Sequence, residues 1–116
     1  MNILVVDDEE VIRDSLQEFL ISEGHDCQTA EIGQDALERL KKYSPDIVIS
    51  DMLMPDMDGL ALVKRIDQDY TDKQMEIILI TGHADKFKLA TVGNHHRVVD
   101  VMKNPIDISK LRNYLL

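Results

Sequence analysis

The sequence predicts an α/β fold, a parallel sheet covered by helices on both sides. Three observations lead to it. Short apolar runs, "ILVV" (3–6), "IVIS" (47–50) and "IILI" (77–80), are continuous rather than alternating, as in strands buried on both faces. The stretches between such runs carry apolar residues at three-to-four spacing, the period of an amphipathic helix. Strand-like and helix-like segments alternate five times along the chain, the pattern of parallel strands joined by helical crossovers.

In order, "ILVV" is the first strand. Val11, Ile12, Leu16, Phe19 and Leu20 define the helix after it, and Gly24 stands where a C-terminal glycine belongs. "DCQTA" (26–30) reads as a short edge strand, and residues 34–42 as a second helix with Ala36, Leu37 and Leu40 on one face and Lys41 and Lys42 at its end. "SPD" (44–46) breaks that helix and leads into "IVIS" as a central strand. Leu60, Leu62, Val63 and Ile66 mark a third helix, "IILI" the fourth strand ending at Thr81, and residues 85–92 a weak, polar helix. "RVVDVM" (97–102) is the fifth strand, and "DISKLRNYLL" closes the chain as a helix capped by Asp107 or Ser109.

Bulk properties narrow the function. A chain of 116 residues, 44% hydrophobic and 30% charged, is expected to fold as one globular domain over residues 1–116. Its net charge of −9 disfavours binding to a nucleic-acid backbone. Cys27 is the only cysteine, so no internal disulfide and no cysteine metal cluster can form; it reads as a small buried hydrophobe in a reducing cytoplasm. No run approaches the roughly 18 apolar residues of a membrane helix, so no membrane insertion is expected.

In open α/β sheets ligands bind at the carboxyl ends of the strands. Here the first strand ends in Asp7-Asp8, the third in Asp51, the fourth in Thr81 and the fifth in Lys103-Asn104. Three neighbouring carboxylates repel one another unless a cation joins them, and Mg²⁺ suits an all-oxygen site that also takes waters and a phosphate oxygen. A hydroxyl (Thr81) and an ammonium (Lys103) could hold the remaining phosphoryl oxygens while a carboxylate acts as nucleophile.

These segments resemble the receiver domain of bacterial two-component response regulators, the CheY-like superfamily, over essentially the whole chain. The likeness rests on "LVVDDEE" (4–10), "DMLMPDMDG" (51–59), "ITGHAD" (80–85) and, less cleanly, "MKNPID" (102–107), with 30 residues from Asp51 to Thr81. It implies a doubly wound, flavodoxin-like (βα)₅ fold of strand order 2-1-3-4-5. It further implies phosphorylation of Asp51 by the phosphohistidine of a histidine kinase or phosphotransfer protein, with partner binding switched toward a downstream effector. Asp7 and Asp8 would be the acidic pair, Asp8 and Asp51 direct Mg²⁺ ligands, the Leu53 carbonyl a third ligand and Thr81 the switch hydroxyl. Such a domain is an enzyme only toward itself, catalysing its own aspartyl phosphorylation and dephosphorylation.

Asp51 then stands out from its neighbours. Asp56 and Asp58 belong to the turn, in which Pro55 fixes φ and Asp58 caps the next helix. Met52, Met54 and Met57 read as packing residues. His95 and His96 read as exposed loop residues rather than a metal pair, with no nearby acid to complete a transition-metal site.

Two departures from the family pattern matter. Receiver domains carry Lys directly before Pro, whereas this chain has Lys103-Asn104-Pro105; counting from Thr81 favours Lys103 and counting back from "PID" favours Asn104, with a cis Asn104–Pro105 bond compatible with either. The family's switch aromatic, three residues before the lysine, is replaced by Asp100 or Val101. An alternative function follows, a pseudo-receiver that binds partners independently of phosphorylation. A phosphohydrolase similar to the haloacid-dehalogenase family is disfavoured, because Leu53 stands where its second aspartate belongs.

Overall fold

The structure, a computed structural model, describes residues 1–82 and 95–115. The strands are β1 (Asn2–Val6), β2 (Asp26–Ala30), β3 (Ile47–Asp51), β4 (Glu76–Thr81) and β5 (Val98–Lys103). The helices are α1 (Glu10–Ser22), α2 (Gly33–Leu40), α3 (Gly59–Asp69) and, after β5, α4 (Ile108–Asn113). The strands form one parallel sheet in the order β2-β1-β3-β4-β5. This is the expected flavodoxin-like order. The helix expected over 85–92 lies outside the described residues.

The continuous apolar runs are explained by two cores, one on each face of the sheet. Leu4, Val6, Val48, Ile77 and Leu79 face α2 and α3, packing with Ala36, Leu37, Leu40, Leu62, Val63 and Ile66. Their strand neighbours Ile3, Val5, Ile47, Ile49, Ile78 and Ile80 point the other way, onto Leu16 and Leu20 of α1 and Leu111 and Leu115 at the C-terminal end. Successive strand residues therefore enter opposite cores, and neither face can be polar. Cys27, Met52, Met54 and Met57 pack with these cores, as expected.

Local signals set most of the boundaries. α1 ends at Gly24, whose φ of 90° lies where a side chain would be strained; the Gly24 N–H donates to the Ile21 carbonyl at 3.0 Å and the His25 N–H to that of Leu20 at 3.1 Å. Asp58 caps α3, its carboxylate accepting from the Ala61 N–H at 2.8 Å. Asp107, not Ser109, caps α4, accepting from the Ser109 and Lys110 N–H groups.

Two expectations need correction. Val11 does not join the buried face of α1; it is 78% exposed. Nine residues separate it from Leu20, and at 3.6 residues per turn that places the two on opposite sides of the helix. The second helix runs from Gly33 to Leu40 rather than over 34–42. It starts earlier because the Asp56 carboxylate accepts from the Gly33 N–H (3.1 Å) and the Gln34 N–H (2.8 Å). It ends earlier because the N–H groups of Lys41 and Lys42 turn to carbonyls three residues back, tightening the last turn.

Candidate functional site

The parallel register of β1 and β3 pairs Val6 with Ser50, so the next residues, Asp7 and Asp51, emerge side by side at the carboxyl rim. Carboxylate oxygens of Asp7, Asp8 and Asp51 all lie within 4.8 Å of one another. Asp7 is only 2% exposed and accepts from the Glu9 N–H at 2.9 Å; Asp51 is half-buried, with the Leu53 N–H a distant 3.4 Å from its Oδ1. None of the three makes an ion pair with a basic side chain among the described residues. Arg13, the nearest base by sequence, donates instead to the Asp7 backbone carbonyl at 2.9 Å.

The electrostatic consequence is large. Burial, followed by the neighbouring charge of Asp7, pushes the Asp51 carboxyl up to about 6. Burial likewise raises Asp7, against the lowering effect of the Glu9 hydrogen bond. The mutual repulsion that contributes to these shifts is what a bound cation would relieve. Three clustered carboxylate oxygens, with no nitrogen or sulfur donor in the cluster among the described residues, match a hard ion such as Mg²⁺. The residues present fit that ion.

The loop after Asp51 is built closely against the strand ends. The Met52 N–H donates to the Ile80 carbonyl (2.8 Å), the Gly59 N–H donates to the Met52 carbonyl (2.7 Å), and Leu53 bridges to Asp58. Gly59 is required by this approach, since a Cβ there would lie 3.1 Å from the Met52 Cα and 3.0 Å from the Leu79 side chain.

On the other flank, β4 ends at the buried Thr81 and β5 at the exposed Lys103, and the register makes these two residues direct partners. That register contains a bulge, in which Ile77 pairs with Val98 but Ile78 with Asp100, so Val99 is the extra residue. Asn104 follows the strand, its N–H donating to the Thr81 carbonyl at 2.9 Å, and the Asn104–Pro105 bond is cis. The Lys103 ammonium makes no ion pair among the described residues. Asp100 accepts from the Tyr114 hydroxyl at 2.7 Å and lies 3.3 Å from the Lys110 ammonium. A ring therefore does reach this part of β5, from the end of α4.

The expectation for His95 and His96 holds for the exposure of His96 and fails for the burial of His95 and for the lack of a nearby acid. Their rings stack 4.6 Å apart, His95 is largely buried, and Asp67 at the end of α3 approaches both. Arg97 is missing from the sequence reading altogether. It is 5% exposed, donating to Asp67 Oδ1 at 2.7 Å and to the carbonyls of Lys73 (2.7 Å), Tyr70 (2.9 Å) and Met75 (3.3 Å). An arginine opening a strand gives no local sign of this; its partners lie 22 to 30 residues away.

An open parallel sheet of order 2-1-3-4-5 with an acidic cluster at the carboxyl rim defines a class of flavodoxin-like proteins. Comparison with known proteins narrows the class to one family. The profile of the response regulator receiver domain matches residues 3–116, and the chain belongs to that family. It is 38% identical over 106 residues to the DNA-binding transcriptional regulator NtrC of Escherichia coli K12, which covers 91% of this chain and 22% of that protein. It is 52% identical over 68 residues to the sensor histidine kinase RcsC of Salmonella typhimurium, 59% of this chain and 7% of that one. The crystal structure of the signal receiver domain of an HD domain-containing protein from Pseudomonas fluorescens Pf-5 superposes with a TM-score of 0.89 at 33% identity, covering 98% of this chain and 90% of that one. The chain thus spans about a fifth of the NtrC relatives it matches. Among the described residues no helix is long and apolar enough to cross a membrane.

Proposed function

We propose that this receiver domain is the phospho-acceptor of a cytoplasmic two-component phosphorelay, with Asp51 as the acceptor and a histidine kinase or phosphotransfer protein as the donor. The observation that carries this reading is Asp51 itself. It ends a central strand, within 4.8 Å of two further carboxylates, and has no cationic partner among the described residues.

Asp8 and Asp51 would hold Mg²⁺ directly, with the Leu53 backbone carbonyl as a third ligand and Asp7 behind them. When bound, the ion supplies charge neutralisation and alignment of the phosphoryl oxygens. Asp51 then provides the nucleophilic oxygen. Its carboxylate forms a bond to phosphorus as the P–N bond of the donor phosphohistidine breaks, and the electron pair leaves with the imidazole nitrogen. The cross-strand pairing of Thr81 with Lys103 supports a flank on which a hydroxyl and an ammonium would take phosphoryl oxygens. Lys103 is favoured over Asn104 for this role, since Lys103 pairs with Thr81 at the strand end and carries the cationic group. Phosphorylation would act on a downstream effector by changing partner affinity.

Intact-mass spectrometry after incubation with acetyl phosphate and Mg²⁺ tests the reading. One added phosphoryl group is expected, dependent on Mg²⁺ and absent from Asp51→Asn. No uptake by the wild-type chain would instead make it a phosphorylation-independent interaction module.

A further inference from the structure

At the opposite rim of the sheet, α3 and the turn before β5 bring together a second set of donors. Nε2 of His96 lies 3.2 Å from Oδ1 of Asp67, and Nε2 of His95 lies 3.8 Å from Oδ2. The three donor groups fall within 4.8 Å of one another. Adjacent histidines ordinarily diverge; here the rings stack at 23°, so both Nε2 atoms approach the same carboxylate. Ligands placed tetrahedrally about 2.0–2.1 Å from Zn²⁺ sit about 3.3 Å apart, close to these separations.

We infer that Asp67, His95 and His96 form a binding site for a divalent transition metal such as Zn²⁺, separate from the carboxylate site at Asp51. Two imidazoles and one carboxylate are a donor set for borderline ions, and Mg²⁺ prefers oxygen alone. Arg97 serves as the outer partner of the carboxylate: its Nε donates to Asp67 Oδ1 at 2.7 Å and fixes the group in place. With the His95 side chain 19% exposed, Asp67 34% and His96 72%, one side of the site is open to solvent, leaving positions for water or a fourth ligand.

Two features moderate the affinity. The Arg97 guanidinium shares the carboxylate and repels a second cation. In addition, Nδ1 of His95 accepts from the Arg97 N–H at 3.2 Å, and metal on Nε2 places the ring proton on Nδ1, so that contact is given up. The site is therefore a reversible one that ties the end of α3 to the start of β5.

Calorimetric titration of the chelator-washed chain with Zn²⁺, in excess Mg²⁺ to saturate the Asp51 carboxylates, tests the inference. One Zn²⁺ per chain is expected. His96→Gln, at an exposed position, should weaken binding by about tenfold or more, at about 1.4 kcal/mol per tenfold, with an unchanged circular dichroism spectrum, and His95→Gln/His96→Gln should abolish it. Co²⁺ bound to the wild-type chain should show visible absorption that the double variant lacks. The inference is overturned if the wild-type chain takes up no Zn²⁺, or if the double variant binds it as well as the wild type.

Discussion

The two rims of the sheet treat acidic side chains in opposite ways. At the amino-end rim, Asp67 receives the Arg97 guanidinium, and that hydrogen bond holds its carboxyl below the usual range. At the carboxyl-end rim, Asp7, Asp8 and Asp51 have no such partner among the described residues, and burial raises Asp7 and Asp51. The first arrangement offsets charge within the chain and stabilises the fold. The second leaves three carboxylates without that compensation, the arrangement on which the proposed phospho-acceptor site rests. The paired carboxylate and the clustered ones thus lie at opposite ends of the same sheet.

The sharpest break of this division is at Asp51. Asp51→Asn should eliminate phosphoryl uptake from acetyl phosphate, measured by intact mass, while leaving the thermal midpoint of the Mg²⁺-free chain unchanged or higher. At the other rim the pattern should invert. Arg97→Ala strands three backbone carbonyls and should destabilise the chain by at least about 3 kcal/mol in urea unfolding, since charged hydrogen bonds are worth roughly 1.5–3 kcal/mol each and several are lost together. Under conditions where it remains folded, this variant should still label at Asp51. Lys103→Ala removes a contact of roughly 1.5–3 kcal/mol to the phosphoryl group. It should therefore slow labelling or abolish the phosphate-dependent change in conformation, with Asn104→Ala doing much less; no effect of either substitution would remove the end of β5 from the site.

The smallest effect is a pH dependence, and its sign is diagnostic. Asp51 has a folded-state value of about 6 against 3.8 for the free group, so between these values the folded chain binds more protons than the unfolded one. Its contribution is favourable below about pH 4 and is lost as pH rises through 6. In chelator, Asp51→Asn should therefore stabilise the chain relative to wild type above pH 6, and the difference should vanish toward pH 4. Saturating Mg²⁺ should remove the advantage at high pH. An advantage that grows on acidification would mean that Asp51 is paired in the folded state.

Much of this was legible in the sequence, for a definite reason. Strands such as "ILVV" and "IILI" announce themselves because burial on both faces removes all polar residues, and Asp7, Asp8 and Asp51 are conspicuous as the charges that end those runs. What escaped depends on partners distant in sequence or on helical phase. Val11 is apolar, but it sits on the wrong side of α1. Arg97 looks like an ordinary strand-opening residue until the carbonyls of Tyr70, Lys73 and Met75 surround it. His95 and His96, in the turn before β5, find their acid on α3, 28 and 29 residues back. The bulge at Val99 is equally invisible, because it shifts register without changing hydrophobic composition.

Asp56 shows what such a distant contact can do. By joining the N-terminus of α2, it pins the middle of a loop whose ends are already held by Met52 and by the Asp58 cap. The conformational entropy of residues 52–58 is therefore lost during folding rather than at ligand capture. An ion or phosphoryl group arriving beside Asp51, as proposed, would meet a wall already held in place, and its binding would carry little further ordering cost for that segment.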